Sequence, residues 1–452
     1  MISRKNFVAI VVTFLAIAYA WPALAAVSAQ EAGKLGTTLT AIGAEKAGNA
    51  DGSIPAYTGG LTKPPAGFVK GSGIRPDPFA DEKPLFSINA KNMSQYSNRL
   101  TEGIKAMMQK YPEFRIDVYK THRTAAFPEF VLANTKKNAL TATTAQGGLS
   151  LKNAHAGCPF PIPADGHQAM WNHLTRFLAP EAYAAYAEAH TISSTGSISL
   201  GAKAIFTMDM PYYDTSKKSS DLLLRYHIKY EGPTRRAGEY LLILDPLDYT
   251  VNGRRSWTYL PGQRRVRLAP DVSHDTPNAT NAGGNCYDDA YVFSGSMERF
   301  DWRLIGKKEV YVPYNAYRAS YYQGDVKKIL TQYHINPDFI RWELHRVWVV
   351  EATLKPGMRH IYSKRVFYLD EDTWTALAAD QYDKRGNMYR VSLAFMTQSY
   401  DVPVQSPDFQ AFFDLISRSY IVSVWPRYGV KYFPKPNDRF YTPDSLTSGG
   451  LR

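Results

Sequence analysis

From Thr191 onward, apolar and polar residues alternate through most of the remaining chain. A period of two marks pleated strands, because successive side chains point to opposite faces of a sheet. Leu222, Leu224, Tyr226, Ile228 and Tyr230 share one face, and Arg225, His227 and Lys229 share the other. Comparable runs occupy 239–244, 297–305, 309–313, 346–354, 359–370, 374–382 and 388–397. Short joints with turn chemistry connect several of them, including Lys355-Pro356-Gly357 and Lys384-Arg385-Gly386-Asn387. Connections this short make sequential strands antiparallel neighbours, so the pattern predicts one large meandering sheet. Its most sharply drawn hairpin lies at 254–270. There Pro261 presets φ, and Gly262 tolerates the positive φ of a type II turn. Arg255, Trp257 and Tyr259 share a face before the turn, and Val266 and Leu268 lie opposite Arg265 and Arg267 after it.

Helical spacing is concentrated before and after this region. Residues 94–110 place Tyr96, Leu100, Ile104, Met107 and Met108 on one stripe, with Ser94 as the cap. Residues 115–119 and 129–134 read as strands. Asp165 caps a helix carrying Met170, Trp171, Leu174, Phe177 and Leu178, and Pro180 starts an Ala-rich helix that reaches His190. A short helix is expected at 325–333, and another starts at Ser406-Pro407 and buries Phe409, Phe412, Phe413 and Ile416. The Gly-, Pro- and Thr-rich stretch 30–81 suits neither helix nor strand. Its scattered apolar residues, Leu39, Ile42, Ile54, Tyr57 and Leu61, predict an extended arm over 26–90 that wraps the rest. Residues 91–452 then form a single α+β domain ending in a coil tail laid over its surface.

Arg4 and Lys5 precede an apolar run at 7–20, and Ala23-Leu24-Ala25 is a small-x-small cleavage site. The run is shorter than the about 20 residues that span a bilayer. The expectation is a periplasmic protein cut after Ala25, with no cysteine at the cut to carry a lipid anchor. Removing the leader takes the net charge from +12 to +10 (51 basic against 41 acidic residues). Such a balance suggests nucleic acid. Export argues against it and favours anionic membrane surfaces. The two cysteines, Cys158 and Cys286, allow one disulfide closing a long loop. No nucleophile elbow, HExxH, P-loop or GxGxxG is present, and His167 and His173 are six apart, the wrong spacing for a shared helical face. No cofactor or metal is implied. Asp288-Asp289 reads first as a structural loop and Asp370-Glu371-Asp372 as a capped turn. The chain therefore reads as a non-enzyme, with a hydrolase built on Asp288 or Asp289 as a remote rival.

The segments WTYLPGQRRVRLAP, YDDAYVFSGSMERFDWRLIGKKEVYVPYN and RHIYSKRVFYLDEDTWTALAADQYDKRGNMYRV resemble the outer-membrane lipoprotein-sorting proteins and their relatives. LGTTLTAIGAEKAGNADGSIPAYTGG and RWELHRVWVVEATLKPGMRHIYSKRVFYLDEDTW are similar to an exported family of unassigned function within that superfamily. The resemblance implies a LolA/LolB-like fold, a strongly curved antiparallel sheet (an incomplete barrel) closed by helices around an apolar cavity. It implies a carrier of lipid or another hydrophobic ligand through the periplasm. It also implies partners: an inner-membrane exporter of the resistance-nodulation-division type and an outer-membrane protein. The chain is far longer than the soluble lipoprotein carriers, with arms at both ends. Each buried methylene contributes about 0.8 kcal/mol, so an acyl chain needs a dry groove. The expected lining is Trp257, Tyr259, Val266 and Leu268 of the hairpin with Trp348 and Val350, and Arg265 and Arg267 are the expected head-group or partner contacts. The alternative is a non-enzymatic adaptor docking its basic surface and arms on such an exporter or outer-membrane protein.

Overall fold

The computed structural model describes residues 27–448, so the expected leader and its cleavage site lie outside the described residues. Within them, no helix is long and apolar enough to cross a membrane.

Sixteen strands form one sheet that does not close into a barrel. Its path begins with Phe86–Asn89 and Arg115–Val118 and continues through Trp342–Leu354, Lys364–Asp370, Ala376–Tyr382 and Met388–Ala394. Gln410–Asp414 and Ser419–Trp425 follow, and Ser419–Trp425 pairs with Ala182–Ile192. From there Ile198–Asp209, Leu222–Gly232, Tyr240–Pro246 and the hairpin Arg255–Leu260 with Arg265–Leu268 complete the path. Phe300–Pro313 pairs along Trp342–Leu354, and Val430–Phe433 pairs with Ala182–Ile192. The ladders are antiparallel apart from one parallel contact between Trp342 and Val118.

Leu241 and Ile243, near one end of this path, share an apolar core with Phe300, Val350 and Ala352 near the other. A sheet whose two ends meet in one core is bent around it. The helix Gly166–Leu174 fills the inside with Met170, Trp171 and Leu174, and the Asp165 carboxylate caps it by accepting the Gln168 N–H at 2.8 Å. Alternation then sends Val347 and Val349 to the outer face, where Ile104, Met107 and Met108 of the helix Glu102–Lys110 cover the sheet. Further along the outer face, Tyr441 and Leu446 of the C-terminal tail cover Tyr240, Leu242 and Tyr259. Short helices, loops and both arms close the sheet, which is more than the expected helical lid.

Residues 43 and 60 approach the rest of the chain closely. A Cβ on Gly43 would lie 1.8 Å from the Pro161 carbonyl oxygen, and one on Gly60 would lie 2.0 Å from that of Ala125. Both positions also need positive φ, so the close approach of the arm demands glycine. The expected turn at 370–372 is present, and its acidic side chains form a buried clamp on residues 45–47 and Arg123. Arg123 holds Asp372 through two bonds of 2.7 and 2.9 Å, and Lys307 holds both Glu371 and Glu45 at 2.9 Å. Arg346 reaches Glu371 at 3.3 Å and donates to the Ala47 carbonyl at 3.0 Å.

Several local expectations are overturned. Residues 180–190, read as an Ala-rich helix, fall in the strand Ala182–Ile192, which is covered on both faces, where small side chains suit close packing. Gln410–Asp414 is a strand buried at every position, which erases the alternation that would have marked it, and Ile416 is exposed. Residues 129–141 form a helix, since the apolar start at 130–132 continues into good helix formers. The stripe at 94–110 divides into a 3₁₀ turn, Met93–Arg99, and the helix Glu102–Lys110, whose cap is Thr101. The C-terminal tail is not all coil, for it adds Val430–Phe433 to the sheet. In the 254–270 hairpin, Leu260 pairs with Arg265, and Arg264 takes the left-handed conformation expected of Gly262.

Candidate functional site

A cavity of about 90 Å³ lies between the inner face of strands Leu222–Gly232 and Tyr240–Pro246 and the loop 278–294. Tyr226, Ile228 and Tyr230, on the apolar face of the most regular predicted strand, form one wall with Leu241, Ile243 and Phe206. Tyr287, Ala290 and Tyr291 of the loop stand against it, and Asn278, Asn285, Gln410 and Ser423 add amides and a hydroxyl. At roughly 10–15 Å³ per water, the space holds about six to nine water molecules. A compact ring system or a chain end fits. Burial pushes the Tyr287 phenol up to about 12 and raises those of Tyr226 and Tyr291 further, so all three stay neutral. Arg254 lines the cavity, but Asp245 holds it through two bonds of 2.7 Å, and its Nη2 donates to Ser294 at 2.6 Å. A wider groove of about 820 Å³ beside Asn134, Lys152 and Asp248 is open and polar, unsuited to an apolar ligand.

The loop that walls the cavity is pinned by ions. Arg365, Gln381 and Arg390 are direct cross-strand partners on successive strands and project polar groups inward from an otherwise apolar sheet. Asp289 accepts from Arg365 at 2.9 Å, Gln381 at 2.8 Å, Tyr362 at 2.8 Å and its own loop's Cys286 N–H at 2.8 Å. Asp288 meets His360 at 2.9 Å and Arg365 at 3.1 Å. Burial works to raise the Asp288 pKa, but Arg365 and His360 outweigh it and hold the carboxyl well below its usual range. Immediately afterwards Tyr291 and Val292 both adopt positive φ, at 54° and 71°. Such a conformation costs about 1–3 kcal/mol per residue and persists where the surroundings enforce it. Here the Tyr291 N–H donates to Gln410 at 2.6 Å and the Val292 carbonyl accepts from Arg365 at 3.1 Å.

None of the eight residues expected to contact a ligand lines this cavity. Trp257, Tyr259 and Val266 pack on the outer face against Tyr240 and the C-terminal Phe440 and Tyr441. Leu268 is 61% exposed, and Arg265 and Arg267 are exposed on the sheet's edge. Trp348 and Val350 do face the inner core, but Trp348 stacks on Trp374 at 5.9 Å under the Lys307 ammonium. The hairpin pairing was legible, whereas its covered side depends on the tail. Asn278, Asn285 and Ser294 were missed, because irregular loops carry no periodic signal.

The possible disulfide is absent. Cys158 and Cys286 are free, buried thiols, with the Cys158 N–H bound to Thr135 and the Cys286 sulfur 4.0 Å from Arg390. Burial raises both thiol pKa values, so neither is a ready nucleophile. Ligand atoms of Cys286, Asp288 and Asp289 converge within 4.8 Å, as do those of His345, Asp370 and Asp372. Arg365 occupies the first group and Arg123 grips both oxygens of Asp372 in the second, so neither fits a metal without displacing a guanidinium.

These features define an α+β protein with one open, bent sheet whose inner face carries a small apolar cavity beside an ion-pinned loop. The chain belongs to the family of proteins of unknown function DUF1329, whose model matches residues 87–447. An uncharacterized protein of Pseudomonas aeruginosa is 42% identical over 441 residues, covering 95% of each chain. Among solved structures, a domain described as outer membrane lipoprotein-sorting, from Vibrio parahaemolyticus, aligns with a TM-score of 0.42 at 13% identity, over 62% of this chain and 97% of that one. A DUF1329 family protein from Desulfovibrio piger aligns at 0.39 and 16% identity, over 59% and 92%. A LolA superfamily protein from Nitrosomonas europaea aligns at 0.37 and 12% identity, over 63% and 100%.

Proposed function

We propose that this protein is a non-enzymatic periplasmic carrier that binds a hydrophobic ligand and serves transport between the inner and outer membranes. The apolar cavity on the inner face of the bent sheet carries this reading. The groups facing it are phenols, amides and hydroxyls, with Arg254 already engaged by Asp245. Such a set binds and orients, and Asp288 and Asp289 are committed to holding the loop. The leader-like N-terminus supports export.

The test is native mass spectrometry of protein purified from the periplasm, followed by organic extraction and uptake of N-phenyl-1-naphthylamine. A co-purifying apolar species, or dye uptake that Ile243→Trp abolishes, is expected. An apo mass together with no uptake overturns the carrier. A second reading, an adaptor for an exporter of the resistance-nodulation-division type or an outer-membrane protein, draws on Arg255, Arg264, Arg265 and Arg267. All four are exposed on the terminal hairpin. Stable co-purification with a membrane protein, lost when these arginines become glutamates, would favour it.

A further inference from the structure

We infer that the cavity selects an uncharged ligand, an apolar body bearing a hydroxyl or carbonyl, and rejects the matching carboxylate or phosphate. This rests on the carrier reading. It reverses the expectation that arginines at a rim capture an anionic head group.

The argument is a charge inventory of the walls. Asn278 and Asn285 offer amide N–H groups, their oxygens already accepting at 3.0 and 2.8 Å, and Thr280, Ser294 and Ser423 offer hydroxyls, while Gln410 is engaged by the Tyr291 N–H and the Asp408 carbonyl. The cation in the wall is Arg254, and its guanidinium fork is matched to the Asp245 carboxylate by two bonds of 2.7 Å. Arg236, 3.8 Å from the centroid of the Tyr230 ring, is held by Glu239 at 2.8 Å and by Thr280 at 2.8 Å. Arg176 lies behind the wall, 4.7 Å from the centroid of the Tyr291 ring. Its Nη1 donates to the His173 carbonyl at 2.6 Å, and the nearby Asp408 accepts the Tyr183 and Tyr291 hydroxyls at 3.0 and 3.1 Å. The guanidiniums at the wall, Arg254 and Arg236, thus each have a carboxylate set against them.

An ion entering such a space gives up part of its hydration, and the wall's guanidiniums are already paired. The same physics keeps the phenols of Tyr226, Tyr287 and Tyr291 protonated. A neutral hydroxyl or carbonyl exchanges its water for the amides and hydroxyls of the wall at little cost. An apolar ring or chain end then packs on Ile228, Leu241 and Ile243.

The experiment compares 2-(2-naphthyl)ethanol with 2-naphthylacetate by isothermal titration at pH 8. The two share a ring and differ at the terminal carbon. The alcohol should bind at least tenfold more tightly, and Ile243→Trp should abolish its binding. Asp245→Asn, confirmed as folded by circular dichroism, frees Arg254 and should raise the acetate's affinity at least tenfold. Equal or tighter binding of the acetate to the unaltered protein overturns the selectivity alone. Alcohol binding that survives Ile243→Trp overturns the assignment to this cavity. Binding of neither probe, with no lipid on extraction, overturns the carrier reading together with the selectivity.

Discussion

Replacing Arg365 by methionine tests whether the buried charge network holds the cavity loop. The side chain is fully buried and bonds to Asp288 at 3.1 Å, to Asp289 at 2.9 Å and to the Val292 carbonyl at 3.1 Å. Methionine keeps much of the volume, so the change removes charge and hydrogen bonds without a large void. Two carboxylates are then left inside the protein, Asp288 with His360 and Asp289 with Tyr362, Gln381 and a backbone N–H. Removing one partner of a buried ion pair costs about 3–5 kcal/mol, a large share of the about 5–15 kcal/mol that stabilises a typical protein. Urea unfolding followed by tryptophan fluorescence measures the loss. Asp289→Asn added to Arg365→Met should recover about 1–3 kcal/mol, because the stranded charge is gone. The pinned loop should also loosen, so uptake of N-phenyl-1-naphthylamine should change in Arg365→Met and return toward normal in the pair. A loss below about 1 kcal/mol, or strict additivity in the cycle, would refute the reasoning.

Burial raises the Asp380 carboxyl to about 6, against hydrogen bonds from Tyr368 and the Gly103 N–H that favour its ionised form. Its proton is therefore held more tightly in the folded state, a contribution complete below the unfolded pKa of 3.8 and lost as pH rises through 6. Asp380→Asn keeps an acceptor for Gly103 and should gain about 2–3 kcal/mol on the unaltered protein between pH 4 and pH 8, measured by urea unfolding. A parallel pair of stability curves would rule this out. His227 has the opposite sign: burial against Phe440 and Tyr240 lowers it to about 4, so its contribution is present above pH 6.5 and lost as pH falls through 4. His227→Phe should remove about 3 kcal/mol of acid sensitivity over that window, and an unchanged acid limb would count against it. Tyr441→Ala uncovers Tyr240 and Leu242 and removes the ring under Arg225, 4.2 Å from its centroid. It should cost about 3–5 kcal/mol, and a loss near zero would show that the tail is not part of the fold.

Alternation along the chain determined most of the strands after Thr191 and their antiparallel order, because a period of two and a short turn are local properties. It failed where both faces are covered. Ala182–Ile192 and Gln410–Asp414 are buried nearly throughout, so burial no longer alternates and composition misleads. The site was half legible. Tyr226, Ile228 and Tyr230 were placed on one face, and Asp288-Asp289 was marked as a structural loop. The sequence could not bring Arg365, Gln381 and Arg390 into register beneath that loop, since pairing of distant strands decides it. The hairpin at 254–270 shows the same division, for Trp257, Tyr259 and Val266 pair as expected yet pack under the tail. A strand's two faces are equivalent until the sheet bends and something covers one of them, so which side encloses the cavity is a property of the tertiary structure alone.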